Sequence, residues 1–123
     1  LVSDVTNRNF RCYRAHPATN SEYIHVDYLK IPHHGSPTGI DVLDMLEGKV
    51  SISCCTVYNK SNLPYEVALQ KYQDSSERLF CTNNLSEKRQ KHAYGMIEST
   101  LFATHTAETN SVSLHGNATE LIR

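Results

Sequence analysis

No run of this 123-residue chain approaches the roughly 20 consecutive apolar residues of a membrane span, so a transmembrane helix is not expected. Charge of one sign is missing too. The 12 basic and 13 acidic residues leave a net charge of −1, without the basic excess of a nucleic-acid-binding domain. The longest basic cluster, EKRQKH at 87–92, is broken by a glutamate and a glutamine and reads as a solvated helix face. The cysteines Cys12, Cys54, Cys55 and Cys81 include no Cys-x-x-Cys pair, which argues against a zinc ribbon and for free buried thiols. There is no glycine-rich phosphate loop, no internal repeat and no linker, and no Ser-His-Asp or Cys-His arrangement can be assigned by spacing. The opening LVSDVTNRNF has neither a basic n-region nor a long apolar core, so no signal peptide is expected. It also starts without Met and in mid-pattern, as a fragment or processed piece would. Four cysteines without a signal point to the cytoplasm, and the sequons at Asn59, Asn84 and Asn117 carry little meaning without secretion.

What is present is an ordinary globular composition, 39% hydrophobic and 20% charged, at a length suited to one domain. LVSDVT reads as a short strand ending in a polar turn at Asp4, and NFRCYRAH as a short helix or irregular crossover stopped by His16-Pro17. YIHVDYLKI, Tyr23 to Ile31, is rich in β-branched and aromatic residues and reads as a strand closed by Pro32. SPTGIDVLDMLEGK reads as a helix with Ile40, Leu43, Met45 and Leu46 on its apolar side and Gly48 as its stop. A strand is expected from Val50 to about Val57, then the loop NKSNLP, a helix over PYEVALQKYQD with Pro64 in its first turn, and a short strand at RLFCTNN. Cys54 and Cys55, adjacent on a strand, should face opposite ways. SVSLHG and ATELIR are expected to form a terminal hairpin about Gly116-Asn117. Strands alternating with helices, followed by a β-rich tail, define an α/β layer structure with each helix covering a sheet face.

In such a layer, sites gather where loops leave the strand ends. Asp4 and the pair His33-His34 both stand at such ends. Imidazole and carboxylate together suit a divalent metal, Gly35 lets the backbone pass close by, and Ser36 can bind a ligand or begin the next helix. The same residues also read as two ordinary surface histidines before a helix cap. Neighbouring residues of an extended strand point to opposite faces, so only one of the pair would reach a given ion. His25, inside the expected strand, reads as packed or at an edge; His16 as loop; His92, His105 and His115 as surface. Tyr58 suits either a substrate pocket or strand-end packing, and Asp41 and Asp44 read as solvent-facing.

DYLKIPHHGS, Asp27 to Ser36, resembles a motif of the metallo-β-lactamase-fold hydrolases, in the branch that includes the hydrolase domain of competence DNA-uptake channel proteins. There a D-x-L-K-V/I-x-H-H-G-S strand and turn follows a strand ending in Gly-Asp. LVSDVT stands in that earlier place, with Ser3 where the glycine is usual. The resemblance implies that Asp4 bridges two metal ions and that His33 or His34 is the late histidine ligand or a substrate contact. SISCCTVYNKSNLPYEVALQKY is similar in layout to the Ser, Asn and His-Pro that follow in the family. Asn59 or Asn62 falls near that Asn, and Leu63 stands where the family has histidine. The family's His-x-His-x-Asp-His motif is absent, so the resemblance covers roughly Leu1 to Asn84, the second half of the fold.

The expectation is therefore an α/β chain forming half of an αββα sandwich, either a single domain over 1–123 or the C-terminal half of a larger one. It implies a metal-dependent hydrolase in which two zinc ions, with manganese or iron as alternatives, activate a water against a phosphodiester or other phosphate ester. Asp4 and His34 would be metal residues, and His33 and His34 catalytic ones. Asp4 with one or two histidines cannot give two zinc ions the three protein ligands usual at each catalytic site. The chain is thus expected to need its N-terminal half or a partner chain, to which a bare sheet face and open strand edges would adhere. Nucleic acid stays open as a substrate, and no membrane is involved. The alternative is a non-catalytic interaction or regulatory module that keeps the fold without the metal site.

Overall fold

The computed structural model describes residues 6–15, 23–85, 94–101 and 110–122. Asp4 and the rest of the expected first strand up to residue 5 lie outside them, as do His16, His92, His105 and the 87–92 cluster. The described residues form a mixed α/β structure. Helix α1 spans Asn7–Ala15, strand β1 Tyr28–Lys30, β2 Val50–Cys55, helix α2 Glu66–Asp74, and strands β3 Ser76–Cys81, β4 Met96–Thr100, β5 Ser111–His115 and β6 Thr119–Leu121. One sheet runs in the order β1-β2-β3-β6, with β1, β2 and β3 parallel and β6 antiparallel to β3. No helix among the described residues is long and apolar enough to cross a membrane.

The centre of the sheet is β2, VSISCC, in which all six residues are buried, as a strand covered on both faces requires. Cys55 joins Phe10, Leu29, Val42, Met45, Tyr72 and Leu79 in the larger core beneath the helices. Cys54 faces the other way, into a cluster with Ile52 and Phe80 that Tyr28, Ile97 and Val112 pack against. The two neighbours thus lie on opposite faces, as expected of a strand. Helices α1 and α2 both take one face, and the face expected to be bare is covered at Ile52, Cys54 and Phe80 by the two-stranded β4-β5 ribbon.

Several expected boundaries move, each for a hydrogen-bonding reason. The strand expected from Tyr23 narrows to Tyr28–Lys30 because Ile24 leaves the sheet to pair with Leu46. Its N–H donates to the Met45 carbonyl at 2.8 Å, and its carbonyl accepts from Glu47 N–H at 3.0 Å. His25 accordingly lies in an irregular segment, exposed, with Nε2 3.6 Å from Asp27 Oδ1. The expected helix after Ser36 is a 3-10 segment, Pro37–Met45, longer than the three or four residues usual for that geometry. An α-helix would need Asp41 N–H to donate to the Pro37 carbonyl. The Asn7 carboxamide has taken both groups: Asp41 N–H donates to Asn7 Oδ1 at 2.8 Å, and Asn7 Nδ2 donates to the Pro37 carbonyl at 2.9 Å. Asp41 is consequently half-buried, 3.9 Å from the Arg11 guanidinium, while Asp44 is solvent-facing. The expected loop after Tyr58 contains a 3-10 turn at Asn59–Ser61, and α2 begins two residues beyond Pro64.

The terminal hairpin does not form. The chain does turn at Gly116 (φ +61°), and Ala118 N–H donates to the His115 carbonyl at 3.3 Å. The two arms then go to different sheets. β5 pairs with β4, while β6 fills the free edge of β3, with Leu79 opposite Leu121 and Phe80 opposite Glu120. A two-pronged Arg78–Glu120 contact, at 2.8 and 3.0 Å, favours that edge over a local hairpin. His115 ends exposed on β5.

Three of the four free thiols are buried, and Cys12 is exposed on α1. Burial pushes the Cys54 thiol above its ordinary value of 9.0, and a hydrogen bond to Cys81 together with burial does the same to Cys55. The thiolate is the reactive form. An aromatic disulfide reagent is therefore expected to titrate Cys12 alone in the native chain and all four cysteines after unfolding. Rapid modification of a second native thiol, read by absorbance, would contradict this packing.

Candidate functional site

The three parallel strands end on one side of the sheet, and their exits build the site. After β1, Ile31 is fully buried and Pro32 starts a tight turn, Pro32–Gly35. Within it His33 (φ 48°, ψ 40°) and His34 (φ 55°, ψ 28°) both lie in the left-handed region, followed by Gly35 at φ +75°. Glycine occupies that region freely, but a side chain with a Cβ costs about 1–2 kcal/mol per residue. Two successive residues other than glycine therefore hold left-handed conformations, which histidine, asparagine and aspartate take more readily than other side chains. Strain of this kind concentrates at functional sites.

The two rings do not share an environment. His34 Nδ1 lies 2.9 Å from the Thr56 carbonyl oxygen and 3.0 Å from Thr56 Oγ1, at the exit of β2. A carbonyl only accepts, so Nδ1 carries the hydrogen and Nε2 of the neutral ring carries the lone pair. The Tyr58 ring stacks on His34 with centroids 5.1 Å apart and planes 27° apart, which restrains the imidazole further. Of the two roles open to Tyr58, packing is thus realised, although 39% of the residue stays exposed beside His34. His33 Nδ1 instead meets Thr38 Oγ1 at 2.8 Å, and that hydroxyl meets Ser36 Oγ at 2.9 Å. Hydroxyls donate or accept, so this chain leaves both tautomers of His33 open. Ser36 is the cap of the 3-10 segment, its Oγ accepting from Thr38 N–H at 3.3 Å.

The turn is seated from below by the residues before α2. A Cβ on Gly35 would stand 2.5 Å from Pro64 Cβ, and Tyr65 N–H donates to the Gly35 carbonyl at 3.2 Å. Leu63, which stands where the resemblance would put a histidine, is buried in the core, and Asn62 is exposed with φ 52°.

The structure thus sets the two candidate histidines side by side at the strand exits. Asp4, the third candidate, lies outside the described residues. Zinc at a catalytic centre takes three protein ligands, and its histidine ligands usually donate the other ring N–H to a carbonyl or carboxylate. His34 has the second property. Among the described residues no group of three His, Cys, Asp or Glu side chains could hold a metal ion. The fit is that of one ligand, not of a complete set. Sequence reasoning missed the threonines. Thr56 is the first residue beyond β2 and Thr82 the first beyond β3, and strand-exit position was the one available signal. Comparisons with protein-family models, curated proteins and solved structures returned no match.

Proposed function

We propose that this chain is the C-terminal half of a metallo-β-lactamase-like hydrolase acting on a phosphodiester or other phosphate ester, completed by an N-terminal half that brings the remaining metal ligands. What carries the reading is the strained His33-His34 turn at the exits of parallel strands, with the His34 Nδ1 hydrogen taken by a carbonyl. The DYLKIPHHGS resemblance gives that turn its chemistry, and the mixed α/β sheet carries helices on one face as half of an αββα sandwich would; a second sheet would have to meet the β4-β5 ribbon, which covers Ile52, Cys54 and Phe80 on the other face.

In this reading His34 offers Nε2 as an electron-pair donor, with Asp4 proposed as the bridging carboxylate. His33, tied to the Thr38 and Ser36 hydroxyls, contacts the substrate or the leaving oxygen. Two zinc ions, with manganese or iron as alternatives, would supply Lewis acidity and an activated water. The chain's own residues orient: Tyr58 holds the His34 ring plane, and Pro64 seats the turn through Gly35.

The test uses the complete protein, with its N-terminal half present. His34→Ala should reduce bound metal, read by elemental analysis, and lower hydrolysis of an aryl phosphodiester by more than ~100-fold. Second-sphere changes alone cost roughly 10–100-fold at metal sites. His34→Gly should be equally inactive yet about 1 kcal/mol more stable than His34→Ala to urea, because glycine takes φ 55° without penalty. Metal content and hydrolysis that survive both substitutions would refute the proposal. The buried Leu63 favours a second reading, a non-catalytic interaction module that kept the fold. It is the one to adopt if the complete protein purifies without metal and His34→Ala changes nothing but stability.

A further inference from the structure

The peptide that receives the His34 hydrogen is itself held from the far side. Its carbonyl, on Thr56, accepts from His34 Nδ1 at 2.9 Å, while its N–H, on Val57, donates to Thr82 Oγ1 at 3.0 Å. Thr82 is fixed in turn by its own backbone: its N–H donates to the Cys55 carbonyl at 3.1 Å, and its carbonyl accepts from Gly95 N–H. One continuous set of hydrogen bonds therefore runs across the exits of β3, β2 and β1, from Thr82 through the 56–57 peptide to the imidazole. An amide whose N–H is already donated is a better acceptor at its carbonyl, so the far bond strengthens the near one.

We infer that Thr56, backed by Thr82, is a positioning residue that holds His34 in the Nδ1–H tautomer. In water the neutral histidine side chain prefers the opposite tautomer, with the hydrogen on Nε2. The 56–57 peptide reverses that preference, because its carbonyl can only accept; the Thr56 hydroxyl, 3.0 Å from the same nitrogen, can accept or donate and by itself selects neither tautomer. With Tyr58 stacked on the ring, both the lone pair and its direction are set before any ligand arrives. The inference rests on the reading of His34 as the electron-pair donor, but its test does not need the hydrolase activity.

The experiment is a long-range proton–nitrogen correlation spectrum of the metal-free chain with 15N-labelled histidine, at a pH where the His34 ring is neutral. His34 is assigned by comparison with the His34→Gln spectrum. The expected result is a pyrrole-type Nδ1 and a pyridine-type Nε2. Thr56→Val keeps the carbonyl and should retain the Nδ1–H tautomer. Thr82→Val, which reaches the ring only through the peptide, should shift the ratio towards Nε2–H by less than the about five-fold that loss of one ordinary hydrogen bond would give. Thr82→Ser should restore the wild-type pattern. A Thr82 serving only packing would leave the nitrogen shifts unmoved. The inference is overturned if wild-type His34 carries its hydrogen on Nε2, or if Thr82→Val keeps the wild-type shifts. An Nδ1–H tautomer in a protein that never hydrolyses would retire the hydrolase reading and leave this one standing.

Discussion

Gly35→Ala is expected to lower the free energy of unfolding by about 2–5 kcal/mol. Two independent costs add. The residue sits at φ +75°, where a Cβ costs about 1–2 kcal/mol, and that Cβ would stand 2.5 Å from Pro64 Cβ and 3.3 Å from Pro64 Cα. Proline is rigid and its Cα is backbone, so the turn must move instead, at the ~1–3 kcal/mol typical of overpacking. Gly48→Ala separates the two costs. Gly48 has φ +72° but nothing within 4 Å of its Cβ position, so only the conformational cost of about 1 kcal/mol should appear. Urea unfolding of both variants checks the difference, and equal losses would mean that Pro64 does not seat the histidine turn. Against a total stability of ~5–15 kcal/mol for a domain, the Gly35 variant is expected to be partly unfolded at 37 °C.

The second large effect is expected at Tyr72 of α2. Its ring is fully buried in the core beneath the sheet, and its hydroxyl donates to the Gly39 carbonyl at 3.1 Å. Burial, with the nearby Cys55 and Asp41 groups, pushes the phenol above its ordinary value of 10.0. Tyr72→Ala should cost about 3–5 kcal/mol through lost burial and the cavity left behind. Tyr72→Phe should cost about 1–2 kcal/mol, because the Gly39 carbonyl loses its donor while the packing stays. The split matters to function. Gly39 lies in the 3-10 segment that Ser36 caps, so the phenol ties α2 to the base of the His33-His34 turn. A Tyr72→Phe variant as unstable as Tyr72→Ala would show that the hydrogen bond, rather than the ring, secures that segment.

The alternation of strand-like and helix-like stretches, the opposite facing of Cys54 and Cys55, the placing of Gly35 at a turn, and the nearness of Pro64 to a helix start, though α2 begins two residues beyond it, were legible from residue order. The place of the histidine pair at a strand exit was legible too. These are local properties: period two in VSISCC, glycine at a bend, proline before a helix. What the two histidines do there was not legible. A strand reading makes neighbours point apart, and it says nothing of a turn in which both take left-handed φ values.

The remaining features were decided by groups far apart in the chain. His34 is told from His33 by Thr56, 22 residues on. At the start of the 3-10 segment Pro37–Met45, Asn7, 34 residues before Asp41, takes both ends of the hydrogen bond that an α-helix would form between Asp41 and Pro37. β6 leaves β5 for the edge of β3, where Glu120 meets Arg78, 42 residues earlier. Propensity and periodicity are set within a few neighbouring residues. A hydrogen bond is won by whichever donor or acceptor the folded chain brings to it, and only the assembled sheet brought these partners together.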